Sequence, residues 1–85
     1  MASYESPEVI AQRRLVDAMA VLENRIDLRA YPHRYLGVVC ERGRGPERVT
    51  YAIAAAEVLH PLGWDLVNVT EFFDRNAYAF MRRRG

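Results

Sequence analysis

Leu59-His60-Pro61-Leu62-Gly63-Trp64-Asp65-Leu66-Val67-Asn68-Val69 decides the fold, because within it a helix is stopped and a strand begins around one aromatic plug. Pro61 cannot continue a helix, Gly63 accepts the positive φ of a sharp reversal, and Trp64, the sole tryptophan, is large enough to fill the corner. On the N-terminal side, Pro46-Glu47 opens the helix that ends here. Val49, Ala52, Ile53, Ala56 and Leu59 or His60 mark its expected buried stripe, and its alanines allow close approach to a sheet. Before it, Tyr35 to Glu41 reads as a strand closed off by the glycines of Arg42-Gly43-Arg44-Gly45. On the C-terminal side, Trp64 to about Phe73 suits a second strand, Asp74-Arg75-Asn76 a turn, and Ala77 to Arg82 a third strand.

Farther out, Ser6-Pro7-Glu8 is a helix start, with Ser6 as cap, Pro7 in the first position and Glu8 at the positive end of the dipole. Ala11, Leu15, Ala18, Leu22 and Ile26, joined by Met19, recur at helical spacing and predict one amphipathic helix from residue 7 to about residue 27. Tyr31-Pro32 breaks that period. The 85 residues allow one domain, and no linker or repeat divides them. The expected fold is therefore α+β: an N-terminal helix followed by a β-α-β-β unit over about residues 34–83, with a three-stranded sheet whose last strand lies centrally.

The corner resembles a family of short bacterial β-α-β-β domains of unknown function. The matching residues are Ala56, Leu59, Leu62, Gly63, Trp64, Asp65, Leu66, Val67 and Val69, with Tyr78 to Arg83 as the final strand. Asp65 supplies the acidic residue expected after the tryptophan, while His60-Pro61 stands where a glycine often precedes the corner. The resemblance covers roughly the last three fifths of the chain. It implies the fold and a bacterial origin, and brings no activity, cofactor or catalytic residue.

Composition narrows the function classes. With 51% hydrophobic residues and 11% aromatics the chain suits an ordered small core, and a net charge of +1 lacks the basic balance of a dedicated DNA-binding domain. All 12 basic residues are arginine, which keeps each arginine cluster a candidate for carboxylate or phosphate. One cysteine permits no internal disulfide, the first residues show no basic-then-apolar leader, and no stretch is long enough to span a membrane, so a cytoplasmic protein is expected.

Candidate sites follow from these clusters. Arg42, Gly43, Arg44, Gly45 and Arg48 form a basic, glycine-containing loop at a helix N-terminus and are the candidate anion site, although Pro46 removes a donor and Glu47 competes for the positive end. Arg82, Arg83 and Arg84 beside Tyr78 and Phe80 could engage nucleic acid by phosphate contact and base stacking. His33, Cys40 and His60 have no metal-ligand spacing, so no metal, cofactor or catalytic residue is assigned.

Self-association is the favoured property. Leu15, Met19, Leu22 and Ile26 can pair with a second copy, and the strand that starts at Trp64 offers apolar residues on both faces: Trp64, Leu66 and Phe72 with Asn68 and Thr70 on one, Val67, Val69 and Phe73 on the other. The resulting expectation is a non-enzymatic interaction or accessory module, a homodimer with a possible protein partner. The alternative is a small regulator that binds nucleic acid or a phosphate-bearing ligand through the Arg/Gly loop and the C-terminal arginines.

Overall fold

The computed structural model describes residues 6–72 and 74–84. Phe73 and the first five residues, parts of the sequence expectations above, lie outside the described residues. The chain runs α1 (Pro7–Arg13), β1 (Leu15–Asp17), α2 (Ala18–Leu22), β2 (Tyr35–Cys40), α3 (Glu47–Leu59), a 3-10 turn (His60–Leu62), β3 (Trp64–Glu71) and β4 (Ala77–Arg83). These strands form one four-stranded mixed sheet in the order β1-β2-β4-β3. β1 lies parallel to β2, and β4 lies antiparallel to both β2 and β3. The last strand is thus central within the β-α-β-β unit, and the α+β class stands.

The continuous N-terminal helix does not. Arg14 takes a left-handed conformation at φ 60°, which ends α1, and its carbonyl accepts the Gly37 N–H while Leu15, Val16 and Asp17 pair with β2. The three-stranded expectation fails for the same reason, since this segment supplies a fourth strand. Burial explains the choice. Val16, Ala18 and Ala20 are fully buried at a two-residue period, whereas Leu15, Met19 and Leu22 are only half-buried. Pairing an edge of the sheet and burying Val16 outweighs the local helical spacing, which carries only a few tenths of a kcal/mol per residue.

The corner forms as its residues dictate. Pro61 lies in the 3-10 turn, Gly63 caps it at φ 104° with its N–H on the His60 carbonyl, and Trp64 is 2% exposed. The indole meets the Tyr31 ring edge-on at 5.7 Å, and the Arg83 guanidinium lies 4.8 Å from its centre. In α3 the buried positions are Ala52, Ala55, Ala56 and Leu59, a face at helical spacing. Ile53, expected in that stripe, is turned outward, with Ala55 in its place.

A bulge in β3 corrects the assignment of its two faces. Leu66 pairs with Met81 but Asn68 pairs with Phe80, so Val67 is the extra residue and the alternation reverses there. Trp64 and Leu66 therefore share a face with Val69, which packs on the core, while Asn68 and Thr70 lie on the opposite face. α2 and α3 cover only one side of the sheet, in a slab of 33 × 31 × 22 Å. The core sits between them, built from Val16, Leu36, Val38, Cys40, Trp64, Ala77, Ala79 and Met81.

Candidate functional site

Strand alternation and register determine what the uncovered face carries. Leu15 and Asp17 come from β1, Tyr35, Gly37 and Val39 from β2, Tyr78, Phe80 and Arg82 from β4, and Asn68 and Thr70 from β3. Val67 joins them at the bulge, 58% exposed, and Tyr35 is 59% exposed. On β4 the small residues Ala77 and Ala79 face the helices and the rings of Tyr78 and Phe80 face outward, stacked at 6.3 Å with 12° between planes. Phe72 closes on Tyr78 edge-on at 4.9 Å, which makes an aromatic ridge where β3 ends and β4 begins.

At the opposite end of the same face lies a hollow of about 440 Å³, lined by Leu15, Gly37, Val67 and Phe80 and ringed by Arg13, Arg14, Arg34 and His33. Gly37 creates part of that shape. A Cβ there would come within 2.5 Å of the Leu15 side chain, so glycine lets Leu15 lie down on the strand. Charge differs between the two ends. Arg14 and Arg34 border the hollow, with Arg82 opposite Tyr35 beside it, whereas at the other end Asp17, Glu41 and Arg42 line a shallower depression and Asp74 stands at the ridge. The Tyr78 hydroxyl donates to an Asp74 carboxylate oxygen at 2.7 Å. That bond holds Asp74 below its usual range and raises Tyr78, with the Glu41 charge adding slightly to the latter.

The residues singled out from the sequence are dispersed. In the Arg42 to Arg48 loop, Glu47 turns back and accepts the Arg44 N–H at 2.8 Å, taking up a donor that an anion would use. Arg48 donates to the Arg75 carbonyl at 2.7 Å, and its buried Nε has no partner. Gly43 and Gly45 adopt positive φ, as the tight loop requires. The C-terminal arginines diverge: Arg82 lies on the open face, Arg83 lies over Trp64, and Arg84 pairs with Asp65 and donates to the His60 carbonyl.

Leu15, Met19, Leu22 and Ile26 are no longer one stripe. Leu15 lies on the open face, Leu22 and Ile26 pack against the core, and Met19 borders the hollow of Asp17 and Glu41. A second cleft, about 680 Å³, runs beside Trp64, Leu28 and Leu62, and its charged groups are engaged: Arg29 pairs with Asp27, and Arg83 donates to the Leu28 carbonyl. Cys40 is fully buried, and burial pushes its thiol pKa up, the opposite of an activated nucleophile. Among the described residues no group of three metal-ligating side chains comes together, and no helix is long and apolar enough to cross a membrane.

Fold and site together define a two-layer α+β domain with one uncovered, partly aromatic sheet face. No protein-family model, curated protein or solved structure matches the chain. Sequence reasoning missed this face as a unit. The alternation Ala77-Tyr78-Ala79-Phe80 carried its signal, since two small residues on one side and two rings on the other label the two faces of a strand.

Proposed function

We propose that this chain is a non-enzymatic interaction module that self-associates through the uncovered face of its sheet. The observation that carries the reading is the half-covered sheet: α2 and α3 pack on one side, and the other side presents Tyr35, Val67, Phe72, Tyr78 and Phe80. Covering an apolar sheet face of this kind is favourable by roughly 25 cal/mol per Å² of apolar area removed from water. The corner residues Leu62, Gly63 and Trp64 also support placing the chain with the small bacterial β-α-β-β domains it resembles.

Light scattering on the wild type and two variants tests the reading. The wild type should have the mass of a dimer, Val67→Asp on the open face should be a monomer, and Leu62→Asp should remain a dimer, since Leu62 is 69% exposed away from that face. A monomeric wild type would overturn it, and a monomer that copurifies with nucleic acid released by salt would favour the nucleic-acid regulator instead.

A further inference from the structure

We infer that the cleft beside Trp64 is a binding site for a small organic carboxylate with an apolar body, and that the Arg83 guanidinium receives the carboxylate. The site is built from residues other than those of the uncovered sheet face, so it stands or falls independently of self-association. Charge, orientation and shape carry it.

The charged residues of the cleft are Asp27, Arg29 and Arg83. Asp27 is committed to Arg29: one carboxylate oxygen accepts the Arg29 backbone N–H and Nε at 3.0 Å, and the other accepts Nη2 at 2.8 Å. That pair is neutral. Arg83 differs, because among the described residues its guanidinium has no carboxylate partner. It donates one long hydrogen bond, from Nη2 to the Leu28 carbonyl at 3.4 Å, and keeps its remaining donors. The cleft therefore carries one net positive charge. A singly charged carboxylate balances it, whereas a phosphate dianion overshoots it.

Aromatic packing fixes where that charge stands. The Arg83 guanidinium lies 4.8 Å from the centre of the Trp64 indole and 5.8 Å from that of the Tyr31 ring, and the side chain is half-buried against them. Less rotamer freedom is then left to lose when a ligand binds. Because Nη2 reaches the Leu28 carbonyl on the cleft wall, this end of the guanidinium faces the cleft. A carboxylate placed there gains charge-assisted hydrogen bonds of about 2.7–2.9 Å in place of a long bond to a neutral carbonyl.

The walls select an apolar body. The cleft measures about 680 Å³, within the range of small-molecule sites, and is lined by Ile26, Leu28 and Leu62 beside the indole. Ile26 and Leu28 pack against the core, while Leu62, in the 3-10 turn that Gly63 caps, is 69% exposed. Leu62 is the most exposed large apolar side chain among the described residues, and a ligand in the cleft removes part of it from water.

Phenylacetate is the probe, phenylacetamide its uncharged twin, and Trp64, the sole tryptophan, the fluorescent reporter. Wild type should bind phenylacetate saturably, with phenylacetamide and inorganic phosphate each weaker by at least about tenfold. Leu62→Asp, which sets a like charge in the cleft at an exposed position, should weaken phenylacetate by at least about tenfold, and Arg83→Gln by as much. Val67→Asp, on the open face, should bind it as the wild type does. Equal binding of acid and amide, wild-type affinity in Leu62→Asp or in an Arg83→Gln chain that circular dichroism shows folded, or no saturable change up to about 10 mM phenylacetate would overturn the site. Light scattering reads self-association separately, so failure here leaves that reading standing.

Discussion

Trp64→Ala is the perturbation with the best-defined magnitude. Trp64 is 2% exposed, with Tyr31 against its edge and the Arg83 guanidinium 4.8 Å from its centre. A buried tryptophan removes about 150–250 Å² from water, which at about 25 cal/mol per Å² corresponds to roughly 4–6 kcal/mol. Large-to-small substitutions at aromatic core positions cost about 3–5 kcal/mol, so about 4 kcal/mol is expected. For a chain of 85 residues the total stability at about 0.05–0.15 kcal/mol per residue is about 4–13 kcal/mol, and the variant sits near its unfolding threshold. Urea unfolding followed by circular dichroism measures the difference, because the substitution removes the only tryptophan fluorophore. At about 4–8 °C per kcal/mol the melting temperature should fall by roughly 15–30 °C. A loss below about 1 kcal/mol would refute the packed corner, since that is the range of a side chain left near the surface.

Three further outcomes follow from single features. Val16→Ala should cost about 1.5–3 kcal/mol by chemical denaturation because Val16 is fully buried, whereas a continuous helix over residues 7–27 puts Val16 off the apolar stripe and predicts about 0.5 kcal/mol or less. Gly63→Ala should cost about 1–2 kcal/mol from backbone strain alone, because a Cβ there meets no atom within 4 Å while φ is 104°; an unchanged stability would show that the turn relaxes without cost. Asp27, hydrogen-bonded to Arg29, has its pKa lowered from 3.8 to about 2, so it stabilises the fold above the unfolded value and the contribution disappears as pH falls toward 2. Nuclear magnetic resonance titration should give that midpoint, Arg29→Ala should return it toward 3.8, and an unmoved midpoint in the variant would contradict the pairing.

What was legible in the sequence depended on whether local chemistry and tertiary packing agreed. At the corner they agree: Pro61, Gly63 and Trp64 each admit few conformations or few environments, and all three demand the same reversal. From residue 14 to residue 22 they conflict. Leu15, Ala18 and Leu22 keep a helical spacing, but the adjacent edge of β2 and the space that Val16, Ala18 and Ala20 fill lie far away in sequence, where no local period can reveal them. The face assignment in β3 failed for a smaller cause, since one extra residue at Val67 inverts every later position and leaves no mark in composition. The candidate face suffered the same loss. Tyr78 and Phe80 could be read from β4, but the hollow needs Leu15, Gly37 and Val67 from three other strands. The arginine loop was legible, including the competition from Glu47 that occupies the Arg44 N–H.

The most direct test of a self-associating sheet face is an isotope-filtered nuclear Overhauser experiment on an equimolar mixture of labelled and unlabelled chains. Face-to-face packing predicts contacts between copies from Tyr35, Val67, Phe72 and Phe80, and none from Ile53 or Leu62. Contacts between copies that map to Ile53, Val58 and Leu62, or no contacts at millimolar concentration, would contradict it.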